Sequence, residues 1–388
     1  MIKYYTAITV LCVLSMASML LCVSCSRTLS GTEKRYFRFE FSLIALAALC
    51  EWLGVMLNGT GPRTVIWHTA VKVIEFSAAP CIGIFMALIL DAPHKEAAMV
   101  ILLLHTLLQV VLGFSGAIIQ VDAESNYTRG PLYEIYMVVY VAALFYAVFA
   151  VLRSGRKYQF GGAGFLASVL VFTLSGMAMQ MVDSTLRVDY VTTAISAIML
   201  YAFTVDMIQQ TDGLTGLINR RGYENTLAHL REPCIILFFD VDCFKSINDT
   251  YGHDWGDQYI RRTGQCLRDN TPAGTVCARL SGDEFLVLFH GYRSRDAVRE
   301  KIDCLTKAMQ QSVALLPSGN ALHISLSGGI AWYPDDGQDW ETLKKYADFA
   351  MYQVKHADKG RVEEFDIGVY NREAYAERTR REFRQLLS

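Results

Sequence analysis

The first half of this 388-residue chain consists of long apolar runs separated by short polar links. Each run has about the 20 residues that a helix needs to cross a hydrocarbon layer about 30 Å thick. The runs cover approximately residues 6–25, 39–58, 66–90, 97–121, 132–152, 160–182 and 190–208. Buried helices of a large soluble protein would not supply seven runs of this length. The sequence therefore predicts a multi-pass α-helical membrane domain over residues 1–209.

The basic residues of the links predict the orientation of the spans, because short cytoplasmic links carry an excess of Lys and Arg. With the N-terminus outside, the inner links hold Arg27, Lys34, Arg35, Arg38, Lys95, Arg153, Arg156 and Lys157, and the outer links hold Lys3, Arg63, Arg129 and Arg187. This bias places residues after 208 in the cytoplasm. Removal of the first run as a secretion signal would reverse that placement, so we expect the first run to be a true span.

Charged residues inside a membrane span are costly and often functional. Glu51, Lys72 and Glu75 are such residues, and Lys72 and Glu75 share a helix face because they are three positions apart. Two interpretations stay open for this group. It is either a buried ion pair that holds the bundle together, or a pocket for a ligand or an ion.

Two acidic elements lie in the second half of the chain. The segment from Val276 to Phe285 reads VCARLSGDEF, in which a Ser-Gly turn between β-prone runs predicts a tight hairpin with Asp283 and Glu284 at its tip. Asp240 follows the apolar strand Ile235–Phe239, where a turn can present its carboxylate to a ligand.

Helical and strand patterns alternate after residue 210, which predicts an α/β sandwich around a central sheet. The expected helices are about 220–230, 255–269, 295–313 and 340–356, and the expected strands are 234–239, the hairpin around 281, and about 322–327. The formal net charge of the whole chain is −2, and no basic surface for nucleic acid is expected.

Several motifs of this half closely resemble the GGDEF-domain family, the diguanylate cyclases. They read TDGLTGLINRR at 211–221, FDVDCFKSIND at 239–249, GHDWGD at 252–257, SGDEF at 281–285, SGGIAWYP at 327–334 and ADFAMY at 347–352. The resemblance covers about residues 211–366 and implies a nucleotidyl-cyclase-like α/β domain over 210–388 with a mostly antiparallel central sheet. It further implies GTP as substrate, Mg²⁺ with Mn²⁺ as an alternative, a homodimer, and cyclic di-GMP as a product for downstream effectors.

The resemblance also assigns the catalytic acids. Asp240 and Asp283 match the metal carboxylates of the family, and the carbonyl of Val241 matches an additional metal ligand. Glu284 matches the further acid, which either binds metal or helps to deprotonate the 3′-hydroxyl. Taken alone, each acid could be a surface carboxylate, and Asp242 could be only that.

The same comparison assigns the substrate contacts. The matching positions are Asn248 and Asp257 for guanine, Lys245 and Lys355 for the phosphates, Arg279, and the hairpin residues Ser281 and Gly282. Lys359 could serve in place of Lys355, because the spacing from Lys355 to the following Gly-Arg pair is longer than the family usually has. Without the resemblance, Asn248 could be a helix cap and Asp257 a first-turn carboxylate.

This chain departs from the family pattern at two places. Ser281 replaces the first glycine of the signature, where glycine restricts the backbone least. The inhibitory Arg-x-x-Asp motif is replaced by Pro272, Ala273, Gly274 and Thr275, so no inhibitory product site is expected.

The membrane half loosely resembles the seven-span sensory N-termini of bacterial histidine kinases and cyclases. These resemblances imply a cyclase in a bacterial cytoplasmic membrane that receives its signal through the spans. The alternative is a catalytically silent receptor that binds GTP or a partner without turnover. No second catalytic motif is expected within residues 367–388.

Overall fold

The computed structural model describes residues 2–157, 162–182, 186–230, 232–272, 274–291, 294–315, 321–357 and 359–374. The chain divides into two compact units, Met1–Asp206 and Met207–Ser388. This division falls inside a helix, three residues before the boundary at 209 that the sequence analysis proposed. The end of the predicted C-terminal tail, residues 375–388, lies outside the described residues.

Unit 1, as far as it is described, is built from seven long helices, each of which overlaps one predicted apolar run. They are α1 (Ile2–Cys25), α2 (Gly31–Leu57), α3 (Val65–Ile89), α4 (Lys95–Phe114), α5 (Tyr133–Lys157), α6 (Gly162–Val182) and α7 (Asp189–Gln210). Six of them are long and apolar enough to cross a membrane, whereas the apolar part of α6 is the shorter stretch Gly164–Gln180. Several apolar helices are therefore present, and the count of seven spans stays a prediction.

The fourth apolar run does not form one helix to residue 121. Helix α4 ends at Phe114, and Gly116 follows with φ of 80°, a backbone conformation that glycine adopts without strain. The chain then forms an antiparallel hairpin of β1 (Ile119–Val121) and β2 (Tyr127–Arg129). The apolar residues that lengthened the predicted run are explained by burial, because Ile118 and Ile119 are almost fully buried.

The charged residues inside the predicted spans are buried and mostly paired. Lys72 Nζ lies 2.8 Å from Glu75 Oε2, and an Arg187 guanidinium nitrogen lies 3.1 Å from Glu51 Oε1. The ion-pair interpretation of Lys72 and Glu75 therefore agrees with the structure. Glu40 of α2 is also buried, although the sequence analysis did not single it out.

Unit 2 is an α/β domain around a five-stranded sheet with the order β4-β5-β3-β8-β9. Its described helices are α8 (Arg220–His229), α9 (Phe244–Tyr251), α10 (His253–Asp269), α11 (Arg295–Gln311) and α12 (Trp340–Ala357), and its strands are β3 (Cys234–Val241), β4 (Val276–Ser281), β5 (Glu284–His290), β6 (Val313–Leu315), β7 (Ala321–His323), β8 (Leu326–Tyr333) and β9 (Val362–Glu364). Every pairing in the large sheet is antiparallel except that of β8 with β9. The predicted mostly antiparallel sheet is confirmed.

The central strand β3 is buried along its whole length because helices cover both faces of the sheet. Alternate residues of a strand point to opposite faces. Leu237 and Phe239 join one apolar cluster, with residues of α10 and α11, while Ile236 and Phe238 join the other, with residues of α8 and α12. Helices packed on both faces of the sheet therefore fix the position of β3, which carries Asp240 near its carboxyl end.

Three local predictions differ from the structure. The strand predicted at about 322–327 is split into β7, which pairs with β6, and β8, which enters the large sheet. A separate helix, α9, precedes α10, and Gly252 divides them with φ of 86°. Asp240 lies inside β3 rather than in a turn after it.

Candidate active site

The acidic residues of the two motifs meet at one end of the large sheet. Asp240 on β3 is paired across the sheet with Glu284, the first residue of β5. The backbone N–H of Val241 donates a 3.1 Å hydrogen bond to the carbonyl of Asp283, which lies in the turn between β4 and β5. Strand pairing therefore places all three predicted catalytic acids together, although Asp240 is far from the others in sequence.

Asp240 is the most buried of these acids. Burial raises the pKa of its carboxyl above the ordinary value, the Lys355 ammonium opposes this rise, and the nearby Asp283 and Glu284 carboxylates add to it. Lys355 Nζ lies 2.5 Å from Asp240 Oδ1. A carboxyl whose pKa is raised by burial and by neighbouring carboxylates is stabilised in its charged form by a nearby cation.

The donor atoms at this point fit a magnesium or manganese ion. Mg²⁺ is usually held by one or two carboxylates together with substrate phosphates, rather than by a cage made only of protein side chains. Among the described residues, no group of three His, Cys, Asp or Glu side chains is placed to hold a metal by itself. Two carboxylates, Asp240 and Asp283, and the carbonyl of Val241 match the smaller ligand set that Mg²⁺ prefers.

Asp242 is not the surface carboxylate that the sequence analysis considered. Its side chain is buried and accepts hydrogen bonds from the hydroxyls of Ser325, at 2.6 Å, and Ser327, at 2.7 Å. Its backbone N–H also donates to the carbonyl of Ser325. Asp242 therefore joins the end of β3 to the start of β8 and supports the strand that presents Asp240.

Arg279 connects the hairpin with the turn motif at 211–221. Its guanidinium donates to the carbonyl of Gly282, at 2.7 and 3.0 Å, and to both carboxylate oxygens of Asp212, at 3.2 and 3.3 Å. Asp212 also accepts from the backbone N–H and the hydroxyl of Thr215. Arg279 thus restrains the hairpin tip, and its contact with substrate stays a prediction.

Sequence reasoning missed Asp212 as part of this site. The sequence did contain a signal for it. Asp212 and Thr215 have the spacing of a tight turn in which the Asp side chain accepts hydrogen bonds, and Arg279 just before the hairpin is a possible cationic partner for that Asp.

Ser281 has a specific partner in the hairpin. Its hydroxyl donates a 2.5 Å hydrogen bond to Glu284 Oε2. A glycine at this position, as in the family signature, could not make this bond. The replacement therefore adds a contact to one of the predicted catalytic acids.

The two residues predicted to bind guanine lie on neighbouring helices. Asn248 lies inside α9, so it is not a helix cap, and Asp257 lies in the second turn of α10 with an exposed side chain. The Asn248 side chain contacts the residue before Asp257 so closely that a Cβ atom on Gly256 would lie 1.8 Å from Asn248 Oδ1. The structure thus brings these predicted guanine contacts to one place.

The predicted phosphate contacts occupy different positions. Lys355 of α12 reaches Asp240, whereas Lys359 Nζ lies 3.5 Å from Cys243 Sγ. Lys245 lies in the first turn of α9 with an exposed side chain. The inhibitory positions Pro272, Gly274 and Thr275 carry no charge, and Ala273 lies outside the described residues.

Comparison with known proteins identifies this half of the chain. Residues 209–361 match the family profile described as diguanylate cyclase, GGDEF domain. This part of the chain is a GGDEF domain. The GGDEF domain thus coincides with the sheet that holds Asp240, Asp283 and Glu284.

The similar curated proteins match part of this chain. The chain is 36% identical over 206 residues to the bifunctional diguanylate cyclase/cyclic di-GMP phosphodiesterase MucR of Pseudomonas aeruginosa, covering 50% of this chain and 29% of that protein. It is 32% identical over 159 residues to the diguanylate cyclase DosC of Escherichia coli K12, covering 39% of this chain and 34% of that protein. The chain therefore spans about a third of the length of these relatives.

A solved structure is also similar to part of this chain. The crystallised GGDEF domain of YfiN, also called TpbB, from Pseudomonas aeruginosa is 32% identical, with 39% of this chain and 99% of that chain covered. The TM-score of this match is 0.37.

Proposed function

We propose that this protein is a membrane-bound diguanylate cyclase that condenses two molecules of GTP into cyclic di-GMP and releases pyrophosphate. The observation that carries this proposal is the meeting of Asp240, Asp283 and Glu284 at the end of the central sheet, joined by the hydrogen bond from Val241 to Asp283. The GGDEF profile and relatives named as diguanylate cyclases support it.

In the proposed reaction, Asp240, Asp283 and the carbonyl of Val241 would hold Mg²⁺, or Mn²⁺ as an alternative. When bound, such an ion offsets negative charge that develops at the α-phosphate. Glu284 accepts the proton of the attacking 3′-hydroxyl as the new P–O bond forms and the bond to pyrophosphate breaks. If Glu284 instead binds metal, as the other family role allows, another group must take that proton.

The remaining predicted residues position the substrate. Asp257 would accept hydrogen bonds from the N–H groups of the guanine edge, because a carboxylate is an acceptor. Asn248 would both donate to and accept from that edge, because an amide side chain can do both. Lys245 and Lys355 would contact the triphosphate, and the backbone of Ser281 and Gly282 would approach it closely. Because Arg279 restrains the carbonyl of Gly282, we assign it a positioning role.

Two further parts of the proposal concern assembly and location. Cyclic di-GMP contains two identical new phosphodiester bonds, so two domains, each with one GTP, would face each other in a homodimer. The apolar helices of unit 1 would anchor the protein in a bacterial cytoplasmic membrane with the N-terminus outside and transmit a signal. The GGDEF domain would lie in the cytoplasm, where GTP is present, and its product would act on downstream cyclic di-GMP effectors.

The test uses the full-length protein in lipid nanodiscs, incubated with GTP and MgCl₂, with cyclic di-GMP detected by mass spectrometry. Asp283→Ala is expected to abolish product without reducing insertion or yield. Asp303→Ala, which removes an exposed carboxylate of α11, is the matched control and is expected to retain activity.

Product from Asp283→Ala at the level of the wild type would refute the assignment of this acid. Absence of product from a folded, dimeric wild type that binds GTP would favour the silent receptor. If the inactive wild type is folded and binds GTP but is monomeric, a variant with enforced dimerisation decides, because a cyclase held inactive by lack of dimerisation would regain activity and a silent receptor would not.

A further inference from the structure

A cavity lies on one face of the large sheet of unit 2, between α8 and α12. Helix α8 packs against β4, whereas α12 packs against β3 and β8, so a gap remains over the intervening strand β5. The cavity in this gap has a volume of about 220 Å³. Since a cavity of about 150 Å³ can hold a benzene ring, this space is large enough for one ring with a substituent.

Three apolar side chains form part of the cavity wall. Leu227 of α8 and Leu280 of β4 line the cavity and are buried. Trp340 of α12 also lines it, and its indole stacks on the ring of Tyr333 with the ring centroids 4.8 Å apart. Because this stacking restrains the indole, the cavity has a rigid aromatic wall, which favours a flat ring over a flexible chain.

One buried polar group at the cavity points to a ligand. Tyr223 of α8 lines the cavity and is only 3% exposed, and its hydroxyl has no hydrogen-bond partner among the described residues. A buried hydroxyl normally has a partner, because leaving it unpaired costs free energy. A molecule in the cavity that carries an acceptor atom would supply this partner.

The charged residues that line the cavity balance one another. Arg220 and Lys344 are basic, and Glu224 and Glu341 are acidic. Arg220 and the two acids are exposed, whereas the ammonium of Lys344 lies 5.7 Å from the centre of the buried Phe238 ring. An anion would be attracted by the two bases and repelled by the two acids, and a cation would meet the reverse. The lining therefore favours a ligand without charge.

We propose that this cavity binds a neutral, single-ring aromatic molecule that carries a hydrogen-bond acceptor. The ring would lie against Leu227, Leu280 and Trp340, and the acceptor would receive a hydrogen bond from the Tyr223 hydroxyl. None of the residues that line the cavity is a predicted metal, guanine or phosphate contact. Leu280 immediately precedes Ser281, so the site adjoins the end of β4 that leads into the hairpin. Binding at this site does not depend on the proposed cyclase activity.

The experiment measures dissociation constants by ligand-observed NMR on the full-length protein in lipid nanodiscs, with empty nanodiscs as the correction for partition into lipid. The probes are benzamide, toluene, benzoate and benzylamine, and benzamide is expected to bind more tightly than either charged probe. Tyr223→Phe removes the hydroxyl and keeps the ring, so it is expected to weaken benzamide binding by about tenfold and to leave toluene binding unchanged. Tyr352→Phe, which removes an exposed hydroxyl of α12, is the matched control and should bind benzamide as the wild type does.

A second variant tests whether the probes bind in this cavity. Leu227→Trp adds volume inside it and leaves the Tyr223 hydroxyl in place, so it is expected to abolish binding of benzamide and toluene. Unchanged binding in Leu227→Trp would place the probes elsewhere and overturn the proposal, as would a wild type that binds none of them. Equal benzamide affinity in the wild type and Tyr223→Phe would overturn the assigned hydrogen bond. Tighter binding of benzoate or benzylamine than of benzamide would overturn the assignment of a neutral ligand.

Discussion

The ammonium of Lys355 lies 2.5 Å from Oδ1 of Asp240, although 115 positions separate the two residues in the chain. Helix α12 packs against the sheet and brings Lys355 to the carboxyl end of β3, whereas Lys359 lies beside Cys243. The two lysines that the sequence pattern left as alternatives therefore lie at different points of the site, and which of them contacts phosphate stays a prediction.

We expect Lys355→Met to reduce cyclic di-GMP formation by about 100-fold, because a cation aimed at the reacting phosphates contributes at this scale. Loss of the ammonium also raises the pKa of Asp240 further, since burial and the neighbouring acids then act unopposed. The matched control Lys359→Met should stay within a fewfold of the wild type. Initial rates measured by mass spectrometry check both variants, and the reverse order would assign the phosphate contact to Lys359.

The hydrogen bond from Ser281 to Glu284 predicts that this hydroxyl orients the acid. Ser281→Ala removes the bond without adding backbone freedom, and we expect the turnover rate to fall by up to about tenfold with little change in KM. Ser281→Thr keeps a hydroxyl and should recover most of the rate. If Ser281→Ala and Ser281→Thr have the same rate as the wild type, the bond has no role in turnover.

The close approach of Gly256 to Asn248 predicts a specific loss of nucleotide affinity. In Gly256→Ala the new Cβ atom would meet Asn248 Oδ1 at 1.8 Å, so the amide must move away from its position beside Asp257. We expect GTP to bind about tenfold more weakly, as measured by titration calorimetry, because one base contact is lost. Gly213→Ala is the control, since no atom lies within 4 Å of the added methyl group. Unchanged affinity in Gly256→Ala would argue against guanine binding by Asn248.

The ion pair of Asp212 and Arg279 predicts a pH-dependent stability. Burial alone would raise the pKa of Asp212, but hydrogen bonds from Thr215 and the charge of Arg279 bring it below the ordinary value. A carboxyl with a lowered pKa in the folded state stabilises the protein above its unfolded pKa of about 3.9, and this contribution is lost as the pH falls through the folded pKa. Asp212→Asn should therefore unfold at a lower temperature than the wild type at pH 7, and the difference should shrink below about pH 4.

Thermal unfolding of the GGDEF domain in the full-length protein checks this prediction, with the exposed Asp303→Asn as a control. A difference that stays constant from pH 7 to pH 3.5 would show that Asp212 acts through packing rather than through its charge.

Much of the site could be predicted from local sequence. The continuous apolar run Cys234–Phe239 identified β3, and the Ser-Gly turn identified the hairpin, because both signals lie within a few residues of the chain. The length of each apolar run likewise predicted the helices of unit 1. The error at residues 115–121 arose because composition alone does not distinguish a helix end from a buried hairpin.

The sequence by itself determined which residue types are present for the chemistry: the paired acids, the Asn and Asp of the helices α9 and α10, and the basic residues near them. Only the tertiary structure decided that Asp242 is a buried support rather than a surface acid, that Arg279 contacts Asp212, and that Lys355 rather than Lys359 reaches Asp240. These contacts join segments tens to more than a hundred residues apart. Their partners are set by how strands pair and helices pack across the whole domain, which no local pattern encodes.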